Sequence, residues 1–181
     1  MLFQFNVNMT DKDYLEYNVF WLTRSPYGKK QMRSGRIAIW VLYVAFVLIT
    51  LLAGDFSAES FISAIPLVIL LVLFQLLLKR FLAWSLKGQI KNLKKSGKMG
   101  YTSNSVVQFN EDDFFDCAPD CKMEHKYSAI ERISIVGNKA VYIHVNNVMA
   151  YTLPISCFEN QKQYDEFLEF IKTKCENVDV Y

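Results

Sequence analysis

The sequence predicts a membrane α+β protein, a two-helix transmembrane hairpin with a cytoplasmic antiparallel sheet closed by a C-terminal helix. Three observations predict it. Two charge-free apolar runs, Ile37–Ala53 and Phe61–Leu78, stand seven residues apart, each near the ~17 to 25 residues that a helix needs to cross ~30 Å of hydrocarbon. Both outer flanks of the pair are basic, while the connector 54–60 carries only Asp55 and Glu59. From Tyr101 the texture changes to short alternating stretches punctuated by Gly, Pro, Asn and Asp, which reads as strands and turns.

Two buried helices of a soluble domain would keep a polar stripe, which these runs lack. Trp40 and Trp84 lie near the ends where amphipathic rings meet headgroups. Pro66 is expected in the first turn or two of the second helix, where a missing N–H costs little. Gln75 is the conspicuous polar side chain inside a span, placed to hydrogen-bond another helix or to reach interfacial water.

The formal charge of +2 hides a segregation. Arg24, Lys29, Lys30, Arg33 and Arg36 precede the first run; Lys79, Arg80, Lys87, Lys91, Lys94, Lys95 and Lys98 follow the second. From Met99 onward thirteen Asp and Glu face seven Lys and Arg, so the sign reverses. Short basic flanks stay inside, which places a multi-pass protein in the cell membrane with both termini cytoplasmic. The four cysteines are then expected as reduced thiols, and no signal-peptide pattern precedes Asp11.

The expected segments are 1–36, a cytoplasmic strand and helix; 37–53, the first span; 54–60, an extracytoplasmic loop; 61–83, the second span; 84–100, a basic juxtamembrane segment; and 101–181, the C-terminal domain. Phe3, Phe5, Val7 and Met9 alternate with Gln4, Asn6 and Asn8, the period of a half-buried strand. Thr10 with Asp13 has capping-box spacing and opens an amphipathic helix that Ser25-Pro26-Tyr27-Gly28 ends. Leu86, Ile90 and Leu93 share one face of a segment whose lysines suit an anionic membrane surface or an ordinary solvated helix end.

Six strands in meander order follow, with a two-residue hairpin at Asn146-Asn147 and a stop at Pro154. The closing helix starts at Asn160, with Gln163 at capping-box distance and Tyr164, Phe167, Leu168, Ile171 and Cys175 as its apolar stripe. A single curled sheet plugged by that helix lacks one strand, which Leu2–Met9 is positioned to supply.

Phe109 to Phe114, Tyr127 to Ile133 and Leu153 to Phe158, behind two spans with cytoplasmic flanks, resemble the YcxB-like bacterial membrane proteins. The resemblance covers most of the chain and is most specific over residues 105–175. It implies a C-terminal domain similar to pleckstrin-homology-like domains. It brings no catalytic residues, since members of that family are mostly of unknown function.

Little chemistry stands out. His125 and His144 read as strand residues, and Cys117, Cys121 and His125 make at most a zinc site short of a ligand. Glu111, Asp112, Asp113, Asp116 and Asp120 read as solvated acidic turns that repel nucleic acid and phosphoinositides alike.

The expectation is a non-enzymatic module without cofactor or metal, held at the bilayer to bind a protein partner or a second copy. The site residues are the membrane-surface cations Lys29, Lys30, Arg33, Arg36, Lys87, Lys91, Lys94, Lys95 and Lys98, with Gln75 inside a span. The alternatives are lipid sensing through 86–98, and a toxin-immunity or transport-accessory role.

Overall fold

The computed structural model describes residues 1–54, 58–97, 101–119, 121–146 and 149–181. Asp55, Lys98, Asp120 and Asn147, all named above, lie outside them. The chain is α+β, and it divides into one unit of Met1–Tyr17 with Leu93–Tyr181 and another of Asn18–Asn92.

In the first unit, strand β1 (Phe3–Asn8) pairs antiparallel with β2 (Asn104–Phe109), with Phe3 opposite Phe109 and Asn8 opposite Asn104. The strand that the meander lacked is thus the N-terminal one. β3 (Asp113–Ala118) and β4 (Cys121–Lys126) complete a four-stranded sheet in the order β1-β2-β3-β4. β5 (Arg132–Val136), β6 (Ala140–His144) and β7 (Ala150–Pro154) belong to a second sheet. Beyond a helix over Gln161–Lys174 the chain adds β8 (Val178–Val180), parallel to β5, for the order β7-β6-β5-β8.

Two sheets therefore replace the single curled sheet expected, because a strand's alternation fixes its faces and not its neighbours. The hairpin expected at Asn146-Asn147 is longer than two residues: His144 and Ala150 form the last rung, and the Val145 N–H donates to the Met149 carbonyl. The stop expected at Pro154 is where β7 ends, with the proline as the last residue of an edge strand.

The core lies between the sheets, where Phe5, Val107, Phe109 and Phe114 face Ile133, Val141, Ile143 and Leu153. Helix α1 covers Asp11–Thr23, α2 Pro26–Ala53, α3 Ala58–Lys95 and α4 Gln161–Lys174. Phe167 and Ile171 of α4, both fully buried, plug that core, and each such side chain contributes roughly 1.5–3 kcal/mol by leaving water. Asn160 Oδ1 accepts from the Gln163 N–H at 2.9 Å, while the Gln163 side chain accepts from the Glu159 N–H at 2.8 Å. The α4 cap is thus the one expected, shifted by one donor on its return side. At α1 the Asp13 N–H donates to Thr10 Oγ1 and the Thr10 N–H to Asp13 Oδ2, the full reciprocal pair.

In the second unit, Ser25 starts a helix as well as ending one. Its hydroxyl accepts from the Gly28 N–H at 3.0 Å, and Pro26 occupies the first turn of α2, where no donor is missed. A Cβ on Gly28 would stand 1.9 Å from the Trp21 carbonyl oxygen, so only glycine fits this corner. The stretch Lys29 to Arg36, expected as a lead-in to the span, is helical, because α2 runs unbroken from Pro26.

α2 is long and apolar enough to cross a membrane, and only 6 % of its apolar window is buried, unlike a soluble core helix. Met32, Arg36, Ile39, Tyr43, Val47 and Thr50 form its half-buried stripe at helical spacing. In α3, among the described residues, Leu71 and Leu78 are buried and Gln75 between them is half-buried. Pro66 is the ninth residue of α3, beyond the first two turns, so the Ile62 carbonyl lacks its helical donor. The segments Ile65–Leu78 and Arg80–Lys95 meet at 59°, where the apolar run gives way to basic residues.

Candidate functional site

Three places in the sheet unit concentrate polar side chains. The first is an open groove of about 540 Å³ at the end of β1, β2 and β3, lined by Asn6, Asn8, Asn104, Ser105, Cys117 and Pro119 among others. Strand alternation builds it. Phe5 and Val7 turn inward, so Asn6 and Asn8 turn outward, and the register sets Asn8 against Asn104. Carboxamides carry both donors and acceptors without charge, so this groove is equipped to hydrogen-bond a neutral polar ligand such as an extended peptide.

The second place lies on the inner side of the same sheet. Asp116 shares the inward face with Phe114 and is only 8 % exposed. Burial pushes its carboxyl upward, opposed by a hydrogen bond from Ser105 and by the charge of His125. Its Oδ1 has no hydrogen-bond partner among the described residues. Nearby, His125 Nε2 and the Tyr151 hydroxyl stand 2.7 Å apart, and the Tyr151 phenol is driven well above its ordinary range, first by burial and then by Asp116. Asp116 is therefore not the solvated turn residue expected from its acidic neighbours. Asp113 fits that description better, being tied to Asn110 Nδ2 at 2.8 Å.

The third place is the outer face of the second sheet. Tyr17 of α1 lies against Tyr142 at 5.1 Å between ring centroids and near His144 at 6.4 Å. Under this cover His144 is 8 % exposed, its Nε2 stands 3.2 Å from Ser134 Oγ, and burial lowers its imidazole to about 4, with Arg132 adding to the effect. A neutral, enclosed imidazole with a hydroxyl beside it is packed structure, and it is not among the residues that line the groove.

The partial zinc site does not assemble. Register sets Ala118 against Cys121, so Cys121 faces inward with His125 while Cys117 faces outward. Among the described residues no three His, Cys, Asp or Glu gather closely enough to hold a metal ion.

The basic residues are exposed along their helices, with Lys87, Lys91, Lys94 and Lys95 on one face of α3 and Lys29, Lys30 and Arg33 on α2. Lys94 is also committed within the sheet unit, where it pairs with Asp11, whose carboxylate accepts as well from the Tyr101 hydroxyl at 2.6 Å. Arg36 Nε, the Tyr43 hydroxyl and Gln75 Nε2 are buried without a hydrogen-bond partner among the described residues. Residue type announced Gln75; nothing in the sequence marked Asp116, because only pairing turns it inward. Compared with family models, with curated proteins and with solved structures, the chain finds no match.

Proposed function

We propose that the chain is a two-span membrane protein of YcxB-like type, without enzymatic activity, whose pleckstrin-homology-like unit binds a protein partner at the cytoplasmic face in an adaptor or regulatory role. The pairing of β1 with β2 carries the topological part. A sheet forms on one side of a bilayer, so the residues between its paired strands cross an even number of times. α2 is apolar enough to cross once, and the long apolar stretch of α3 offers the return. The side chains agree: Val41, Leu42, Ile49, Leu70 and Leu76 are each more than 60 % exposed, far too much apolar surface for water.

Four strands, then three, then a closing helix is an order consistent with the pleckstrin-homology-like resemblance. The amide-lined groove supports peptide recognition, since its carboxamides offer both donors and acceptors to a peptide backbone.

Sided labelling tests the topology. With an impermeant maleimide, Glu59→Cys reacts only from outside the cell and the exposed Cys121 only from the cytoplasmic side. Labelling of both from one side overturns the hairpin. For the binding role, a photoreactive residue at Asn104 yields a discrete protein adduct that Asn8→Arg abolishes; lipid adducts alone remove the partner reading.

The 59° bend favours a second reading, in which Arg80–Lys95 lies along the membrane surface. Each lysine near anionic lipid is then worth about 1 kcal/mol. Neutralising Lys87, Lys91 and Lys95 weakens binding to phosphatidylserine vesicles if that reading holds, and leaves it unchanged if the lysines only set topology.

A further inference from the structure

We infer that β4 is a self-pairing edge, which joins β4 of a second copy antiparallel and centred on Met123. β4 ends its sheet, and among the described residues no strand lies on its far side. Five of its six residues are exposed, and His125 is half-buried. An edge of this length, free of Pro and Gly, presents unpaired N–H and C=O groups as a template for another strand.

The other edges are different. β1 has β7 and the Ile155–Cys157 turn beside it. β8 is three residues long, with Asp179 held by Arg132 at 3.4 Å.

The order of charges along β4 names the occupant. With the two-fold axis at Met123, Lys122 of each copy faces Glu124 of the other on the outer face of the sheet, and Cys121 faces His125 on the inner face. Five of the six residues find partners, and both facing pairs of charges are opposite in sign. Moving the axis to Glu124 sets Lys122 against Lys126 twice and Glu124 against itself. A parallel, in-register pair stacks every charge on its like. The isologous antiparallel arrangement is thus favoured by position as well as by the open edge. It rests on the first sheet alone, independently of the topology and partner proposed above.

Cysteine and charge variants of the full chain, in membranes under mild oxidation, test it. In a Cys121→Ser background, Met123→Cys is expected to give a disulfide-linked dimer, because the two positions face each other within disulfide reach. Lys122→Cys in the same background gives little. Lys122→Glu and Glu124→Lys each weaken dimerisation about tenfold, as two opposed like-charge pairs would, and the double exchange Lys122→Glu with Glu124→Lys restores it. That restoration also shows that the single variants fold. A chain that stays monomeric, a Met123→Cys disulfide to a different protein, or dimerisation indifferent to both charge inversions overturns the inference.

Discussion

Phe5 and Phe167, from opposite ends of the chain, meet edge-on with ring centroids 4.9 Å apart and planes at 81°. Phe5 also lies 4.7 Å from Phe158 and 5.9 Å from Phe109, and it is 1 % exposed. The N-terminal strand is therefore core material of the C-terminal domain.

Phe5→Ala removes the ring on which Phe109, Phe158 and Phe167 converge. A buried Phe→Ala change costs about 3–5 kcal/mol. The expected outcome is a sheet unit that melts many degrees lower and is cut readily by protease, whereas Asn6→Ala, one residue along and facing outward, leaves melting nearly unchanged. Thermal unfolding in detergent followed by near-ultraviolet circular dichroism reads both.

Asp11 fastens the start of α1 to the segment entering β2. The hydrogen bond from Lys94, then that from Tyr101, holds its carboxyl below the ordinary value of 3.8. A carboxyl whose folded value is depressed stabilises the fold above its unfolded value, and the benefit disappears as pH falls through the folded one. Asp11→Asn should thus melt below the parent at neutral pH, and the gap should close only under acid conditions below 3.8. Melting curves of the two proteins across pH check this; a gap that persists in acid refutes the electrostatic account.

At Asp116 the sign is opposite. Burial raises the folded carboxyl above its unfolded value, so its contribution is complete at low pH and is lost as pH rises through the folded value. Asp116→Asn is expected to abolish that loss and to stabilise the protein at neutral pH by about 1 kcal/mol, the scale of an unsatisfied buried acceptor. Urea unfolding of parent and variant at acid and neutral pH measures the difference.

His144 is expected to make the sheet unit sensitive to mild acid. Its imidazole falls from 6.5 to about 4 on burial, so folding favours the neutral ring, and stability is lost as pH drops from 6.5 toward 4. A shift of that size corresponds to roughly 3 kcal/mol once fully expressed. His144→Gln should flatten the dependence within that window, even if the missing ring lowers stability at neutral pH. Guanidinium titrations at several pH values read the slope.

Much of this fold was legible in the residues. The alternation of Phe3, Phe5 and Val7 announced a strand, and the spacings Thr10–Asp13 and Asn160–Gln163 announced two helix starts. Val178-Asp179-Val180 is too short to show a period, so β8 did not stand out. The division into two sheets depends on which strands become neighbours, which alternation leaves open. Asp116 was hidden for a related reason: its acidic neighbours suggest a solvated turn, and only the β2–β3 register, which sets it against Val107, turns it inward. His144 is enclosed because Tyr17 arrives from far along the chain, and no local pattern encodes that arrival.

The rung between Asn8 and Asn104 also sets a timetable. At ~5–20 residues per second of synthesis, β1 leaves the ribosome ~5–20 s before β2 and waits without a partner, its phenylalanines uncovered. In the hairpin reading, both apolar helices emerge and enter the bilayer during that wait. Closure of the first sheet then reports a finished insertion: a chain whose second helix fails to return leaves β2 across the bilayer from β1, with an open sheet for proteases to remove.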